Sequence, residues 1–98
     1  MEKTYAASLC WHGLLGGWLI LDDERVTYRT GKLQVPPEIR NLPLPFCRIK
    51  NIVLSKALFL PTVTVEMKDG QEWKFLVFGR NSFLTNLKAA MTAYASSD

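Results

Sequence analysis

A chain of 98 residues makes one domain. Its hydrophobic share of 48% and charged share of 21% exclude a disordered tail and allow a real core. A net charge of +3 is mildly basic, too weak an excess to indicate a nucleic-acid partner by itself.

The first element to explain is the uncharged stretch from Thr4 to Leu21, about as long as a bilayer-spanning segment. A secretory signal fits poorly, because Met1-Glu2-Lys3 is neutral on balance and acids rather than an Ala-x-Ala site follow Leu21. A spanning helix fits poorly too. Gly16-Gly17 is a weak helix centre, and Thr4, Ser8 and His12 add polar cost. The stretch reads instead as a hairpin: a strand over Thr4 to Trp11, a Gly-rich turn over His12 to Gly17, and a strand over Trp18 to Leu21. Trp11 and Trp18 are its core candidates.

Asp22-Asp23-Glu24 is a polar turn, and the strand after it alternates strictly. Val26 and Tyr28 face inward, while Arg25, Thr27 and Arg29 face outward. Charge is distributed unevenly along the chain. From Arg25 to Lys56 the bases Arg25, Arg29, Lys32, Arg40, Arg48, Lys50 and Lys56 stand against Glu38 alone. Such a basic middle third is a candidate contact for an anionic surface. From Thr30 to Pro45 the prolines 36, 37, 43 and 45 predict a long ordered loop rather than regular structure, since proline lacks the amide of a central strand. No P-x-x-P spacing occurs in it.

Phe46 to Leu54 is a further strand or strand-turn, and Thr62 to Met67 and Trp73 to Phe78 form a second hairpin. Val63, Val65 and Met67 must share a face with Trp73, Phe75 and Val77, which requires a loop with an odd residue count. Lys68-Asp69-Gly70 as a three-residue loop puts Gly70 at the left-handed position and sets Glu66 opposite Glu72, whereas Asp69-Gly70-Gln71 would pair Glu66 with Lys74 and Lys68 with Glu72 but misplace the glycine; the first is preferred. The chain ends in a helix over about 82–95, capped by Asn81 or Ser82. Its apolar stripe is Phe83, Leu84, Leu87, Ala90, Met91 and Tyr94, and Asn86, Lys88 and Thr92 face outward. Such a helix plugs the open end of a curled sheet. The expected fold is mainly β: a curled antiparallel barrel or sandwich of about seven strands with one C-terminal helix.

Catalytic signals are sparse. His12 is the single histidine, and no orienting carboxylate or amide is placed beside it by sequence. Cys10, His12 and Cys47 would supply three metal donors, short of a closed tetrahedral site, so no metal is expected. The two cysteines read as buried small apolar groups in a reducing compartment, with a single disulfide as the alternative should their strands lie side by side. Gly16-Gly17 lacks the Gly-Lys-Ser/Thr that a phosphate loop needs. The Tyr28 ring alternates away from the arginines, so no stacking platform for nucleic acid is expected. These readings point to no enzyme, no cofactor, no nucleic acid and no small-molecule substrate.

The order of strands, proline-rich loop, strands and final helix resembles the pleckstrin-homology superfold, in particular its GRAM branch and related small bacterial proteins. Four segments carry the resemblance. They are Gly16-Gly17-Trp18-Leu19-Ile20-Leu21 with Val26 and Tyr28; Pro45-Phe46-Cys47-Arg48-Ile49-Lys50-Asn51-Ile52; the turn Asp69-Gly70; and Phe75, Val77 and Arg80. Asp22, where threonine is usual, and Phe83, near where tryptophan is frequent, depart from the pattern. The resemblance implies a cytoplasmic, non-catalytic binding module rather than an enzyme. Its lipid-binding members place lysines and arginines in the first hairpin loop, but here that loop, His12 to Gly17, has none. Two binding readings follow. In one, Leu14 and Leu15 at an exposed loop tip contact a protein partner or a second copy. In the other, Arg25, Arg29 and Lys32, joined by Arg48 and Lys50, hold the domain loosely on anionic membrane lipid at about 1 kcal/mol per basic residue.

Overall fold

The computed structural model describes residues 2–57 and 59–96. Strands β1 (Lys3–Cys10), β2 (Leu14–Leu21), β3 (Arg25–Arg29) and β4 (Asn41–Pro45) lead through a 3-10 turn (Phe46–Arg48) to β5 (Ile49–Ala57), β6 (Leu60–Met67) and β7 (Glu72–Val77). A one-turn helix, α1 (Pro37–Arg40), precedes β4, and α2 (Arg80–Ser96) closes the chain. The seven strands form one antiparallel sheet in the order β4-β3-β2-β1-β7-β6-β5, curled into a half-barrel. Pairing of β1 with β7 joins the two ends of the meander. The strand edges of β4 and β5 remain unpaired at either side of an open seam.

Period-two alternation decides what the curl encloses. Leu9, Leu19, Val26, Tyr28, Leu44, Val63, Val65, Phe75 and Val77 are all buried, and each alternates with an outward neighbour along its strand. In β5 a bulge between Ile49 and Asn51 changes the phase, so Ile49 is buried and Ile52, three residues on, still packs against the core. Phe83 and Leu87 of α2 complete this core, Phe83 meeting Tyr5 edge-on at 5.2 Å between ring centres. Tyr94 meets Phe46 in the same way at 5.7 Å. A fully buried side chain of this size contributes about 1.5–3 kcal/mol, so the helix is held by its stripe as the sequence predicts.

The β6–β7 hairpin has the predicted register. Val65 faces Trp73 and Glu66 faces Glu72. The Met67 N–H donates to the Gln71 carbonyl, the Gly70 N–H donates to the Met67 carbonyl, and Gly70 has φ 94°. The three-residue loop is therefore Lys68-Asp69-Gly70, at the cost of one like-charged pair.

Other expectations are corrected. The first turn is only Trp11 to Gly13, and β2 begins at Leu14, so Gly16 and Gly17 lie inside a strand. A Cβ on Gly17 would stand 2.2 Å from the Arg29 carbonyl oxygen and 3.0 Å from the Tyr28 ring. Glycine is there to let β3 and its tyrosine come close, not to turn the chain. Trp18 is 53% exposed rather than buried, because Leu19 and Leu21 take the inner positions of β2. Trp11 is half-buried against the core.

The region expected to be an irregular loop contains α1 and β4. Leu42 and Leu44 point into the core, and Pro43 and Pro45 fall at the alternate positions. The Phe46 N–H donates to Glu24 and the Arg40 carbonyl accepts from Thr30, so even-numbered residues bond toward β3. Pro43 and Pro45 therefore turn their amide-less nitrogens to the free edge, the one side of a strand that tolerates them. Both cysteines are free and exposed, not buried: Cys10 falls on the outer phase of β1 and Cys47 in the 3-10 turn. Helix α2 starts at Arg80, ahead of the expected Asn81 or Ser82 cap, and the Phe83 N–H donates to Gly79, whose φ of 76° suits glycine. Asn86 does not simply face outward. Its amide donates to the Tyr5 hydroxyl at 2.6 Å.

Candidate interaction surface

The outer face of the sheet exposes large apolar groups where alternation would ordinarily put polar ones. On β2 the outward residues are Leu14, Gly16, Trp18 and Ile20, with Leu14 63% exposed. Ala6 of β1 lies opposite Trp18, and on its other side the Phe78 N–H donates to the Ala6 carbonyl. Phe78, just past β7, continues that strand's phase outward and is 59% exposed. Trp18 and Phe78 thus flank Ala6 from both neighbouring strands, with backbones about 10 Å apart at two strand spacings.

Between these aromatics and Leu14 the floor is small. Ser8 pairs with Gly16, and a Cβ built on Gly16 meets nothing within 4 Å. On its other side Ser8 faces the buried Leu76, and Trp18, Phe78 and Leu14 stand around this floor. Arg29, the β3 partner of Trp18, adds a cation beside the tryptophan, oriented by donation from its Nε to the Asn41 side chain at 2.9 Å. Thr30 donates to the Gly16 carbonyl at 2.8 Å and accepts from the Lys32 N–H at 3.3 Å, tying the start of the β3–β4 connection to this end of β2.

The sequence-derived candidates separate on the fold. Leu14 is on the exposed face, but as a strand residue rather than a loop tip. Leu15 is half-buried against the core, its carbonyl accepting from the Tyr28 hydroxyl. Burial pushes the Tyr28 phenol above its ordinary pKa. Arg25 and Arg29 project outward as predicted, yet Arg25 pairs with Glu24 at 3.0 Å, and the surrounding depression also holds Glu2 and Asp22. Lys32 is exposed in the β3–β4 connection. Arg48 lines a different cleft, and Lys50 stands at the β5 bulge on the sheet edge. The structure brings Arg25 and Arg29 into one depression and puts Arg48 in another cleft.

Trp18 and Phe78 were missed as surface groups. The signal for Phe78 was present: inward Phe75 and Val77 force it outward. His12 is exposed in the first turn at φ 52°, edge-on to Trp11 at 4.6 Å. Among the described residues no group of three His, Cys, Asp or Glu side chains could hold a metal ion, and no helix is long and apolar enough to cross a membrane.

No family model matches the chain, and no curated protein matches it. Among solved structures it is similar to the C-terminal domain of an unknown protein from Leishmania infantum, at 12% identity over 92% of this chain and 82% of that one, with a TM-score of 0.76. That likeness shows a shared fold alone.

Proposed function

We propose that this chain is a non-catalytic protein-interaction module of the pleckstrin-homology type, which docks a partner on the outer face of β1, β2 and β7. The observation that supports this reading is the placing of Trp18 and Phe78 on either side of an Ala6–Ser8–Gly16 floor, both more than half exposed on the outer face of the sheet. Tryptophan, with tyrosine and arginine, dominates the energetically important centres of protein interfaces, and an anchoring side chain needs a hollow to enter. At Gly16, where a Cβ would meet nothing within 4 Å, there is open space for one.

Charge selects the occupant. Arg29 beside Trp18 and the neighbouring Lys32 favour an apolar anchor flanked by acidic residues. A second copy meeting this face with its own would set these cations in one interface with themselves, which disfavours self-association. The electrostatic membrane reading draws less support from the geometry, since Arg25 is paired with Glu24 and Arg48 lines a different cleft from Arg25 and Arg29.

An array of peptides with one aromatic or leucine anchor, flanked by either glutamate or lysine, tests the reading. Glutamate-flanked peptides are expected to bind and to weaken with salt, and binding should fall at least about tenfold in Trp18→Ala and in Phe78→Ala. Equal capture of lysine-flanked peptides, or unchanged binding by both variants, would refute it. A stable dimer in light scattering that Trp18→Ala dissolves would make a second copy the occupant.

A further inference from the structure

We propose that the seam between β4 and the β6–β7 hairpin binds a small carboxylic acid carrying an apolar body and an adjacent hydrogen-bond donor. The site shares no residue with the Trp18–Phe78 face, so it stands or falls separately from the interaction reading above.

The seam holds a cleft of about 400 Å³, within the range of small-ligand sites. It persists because of Pro43 and Pro45. With their nitrogens turned to the free edge, no strand can complete a ladder there, and the sheet stays open at this place. Residues in a strand direct their nitrogen and carbonyl to the same side, so the Pro43 and Pro45 carbonyls also face the gap. The β4 wall therefore offers acceptors and no donors. A ligand seated against it must donate.

The rest of the lining supplies the other two requirements. Leu42, Leu44, Met67 and the half-buried Trp73 make an apolar floor. Arg48 and Lys68 stand on the rim, held at one end because the Lys68 N–H donates to the Arg48 carbonyl at 2.8 Å. Asp69 is the one acid among the lining residues, and its carboxylate already accepts the Gln71 N–H at 2.9 Å within the turn. Among the described residues neither the Arg48 guanidinium nor the Lys68 ammonium has a protein partner. A guanidinium fork beside an ammonium matches a carboxylate, which accepts from both. Anion, donor and apolar body together describe an N-acylated apolar amino acid or the free C-terminus of a peptide. Both present the same chemistry.

Amide-detected NMR titration of the whole chain separates the possibilities, with N-acetyl-L-leucine as the probe. Shifts are expected at Leu42, Leu44, Arg48, Met67 to Gln71 and the Trp73 indole. N-acetyl-L-leucinamide, which lacks the charge, and 4-methylpentanoate, which lacks the amide donor, should each bind at least several-fold more weakly. Arg48→Gln and Lys68→Gln should each cost about tenfold, with Arg48→Lys retaining part of the affinity and Trp18→Ala having no effect. A Gly-Gly-Leu acid that binds more tightly than the acetyl compound assigns the site to a protein C-terminus, and one that binds no better assigns it to a free small acid. Absent or scattered shifts, equal binding of the leucinamide, or full affinity in both glutamine variants of well-dispersed spectrum would overturn the proposal.

Discussion

Strand β2 presents two faces built to opposite ends. Its inner face holds Leu15, Gly17, Leu19 and Leu21, with Leu19 and Leu21 almost wholly buried. Its outer face holds Leu14, Gly16, Trp18 and Ile20, with the tryptophan more than half exposed. Adjacent glycines show the contrast best. At Gly17 any side chain would strike the Arg29 carbonyl, whereas at Gly16 there is nothing to strike. One missing side chain lets the fold close; the other leaves a place for something else to enter. A residue's chemistry therefore says less about its role than the side of the pleat on which it falls.

Substitutions along β2 sharpen or break that contrast, and the largest effect belongs to the inner face. Leu19→Ala should cost about 3–4 kcal/mol in urea unfolding, the range for a fully buried leucine whose cavity does not collapse. Gly17→Ala should cost about 3 kcal/mol by the same measurement, because the obstruction is backbone and cannot swing aside. Tolerance of Gly17→Ala would mean that β2 and β3 are not held at the spacing described.

A smaller loss, about 1 kcal/mol, is expected for Tyr28→Phe, which removes the hydroxyl donated to Leu15. This variant also carries a pH signature. The folded phenol holds its proton above the ordinary value of 10.0. Its contribution is thus fully present below that value and is lost as pH rises through the raised one. Thermal unfolding of the native chain should weaken in this alkaline window, and Tyr28→Phe should show a shallower decline. On the outer face, Trp18→Ala should change stability by less than about 0.5 kcal/mol, as exposed positions generally do. Gly16→Ala should be neutral or stabilising by a few tenths of a kcal/mol, since alanine loses less chain entropy and meets no obstacle. If Trp18→Ala unfolds the protein, the outer face is structural and the interaction reading loses its basis.

Much of the architecture was legible in the sequence because alternation carries it. The inward set of β3 and the stripe of α2 follow from spacing alone, and the register of the second hairpin from spacing together with the position of Gly70. Three things were not legible, each for a physical reason. Gly16-Gly17 looks like a turn because glycine weakens strands, and only the close Arg29 carbonyl and Tyr28 ring explain why β2 keeps one at position 17. Pro43 and Pro45 look incompatible with a strand because sequence does not tell an edge from a centre. Of the apolar part of the candidate surface only Leu14 was seen, since starting β2 at Trp18 concealed that Trp18 shares the outward phase of Leu14.

The prolines of β4 also set how this fold can assemble by its sheet edges. The opposite edge, β5, is nine residues long and free of proline, so it can accept another strand. Endless filaments would need both β4 and β5 of each copy to be bonded, and β4 has no donors at Pro43 or Pro45 to complete such a bond. Edge-to-edge growth must then use β5 twice, which closes after two molecules. A pair of prolines thereby acts as a chain terminator, protecting an otherwise open sheet from fibrous polymerisation.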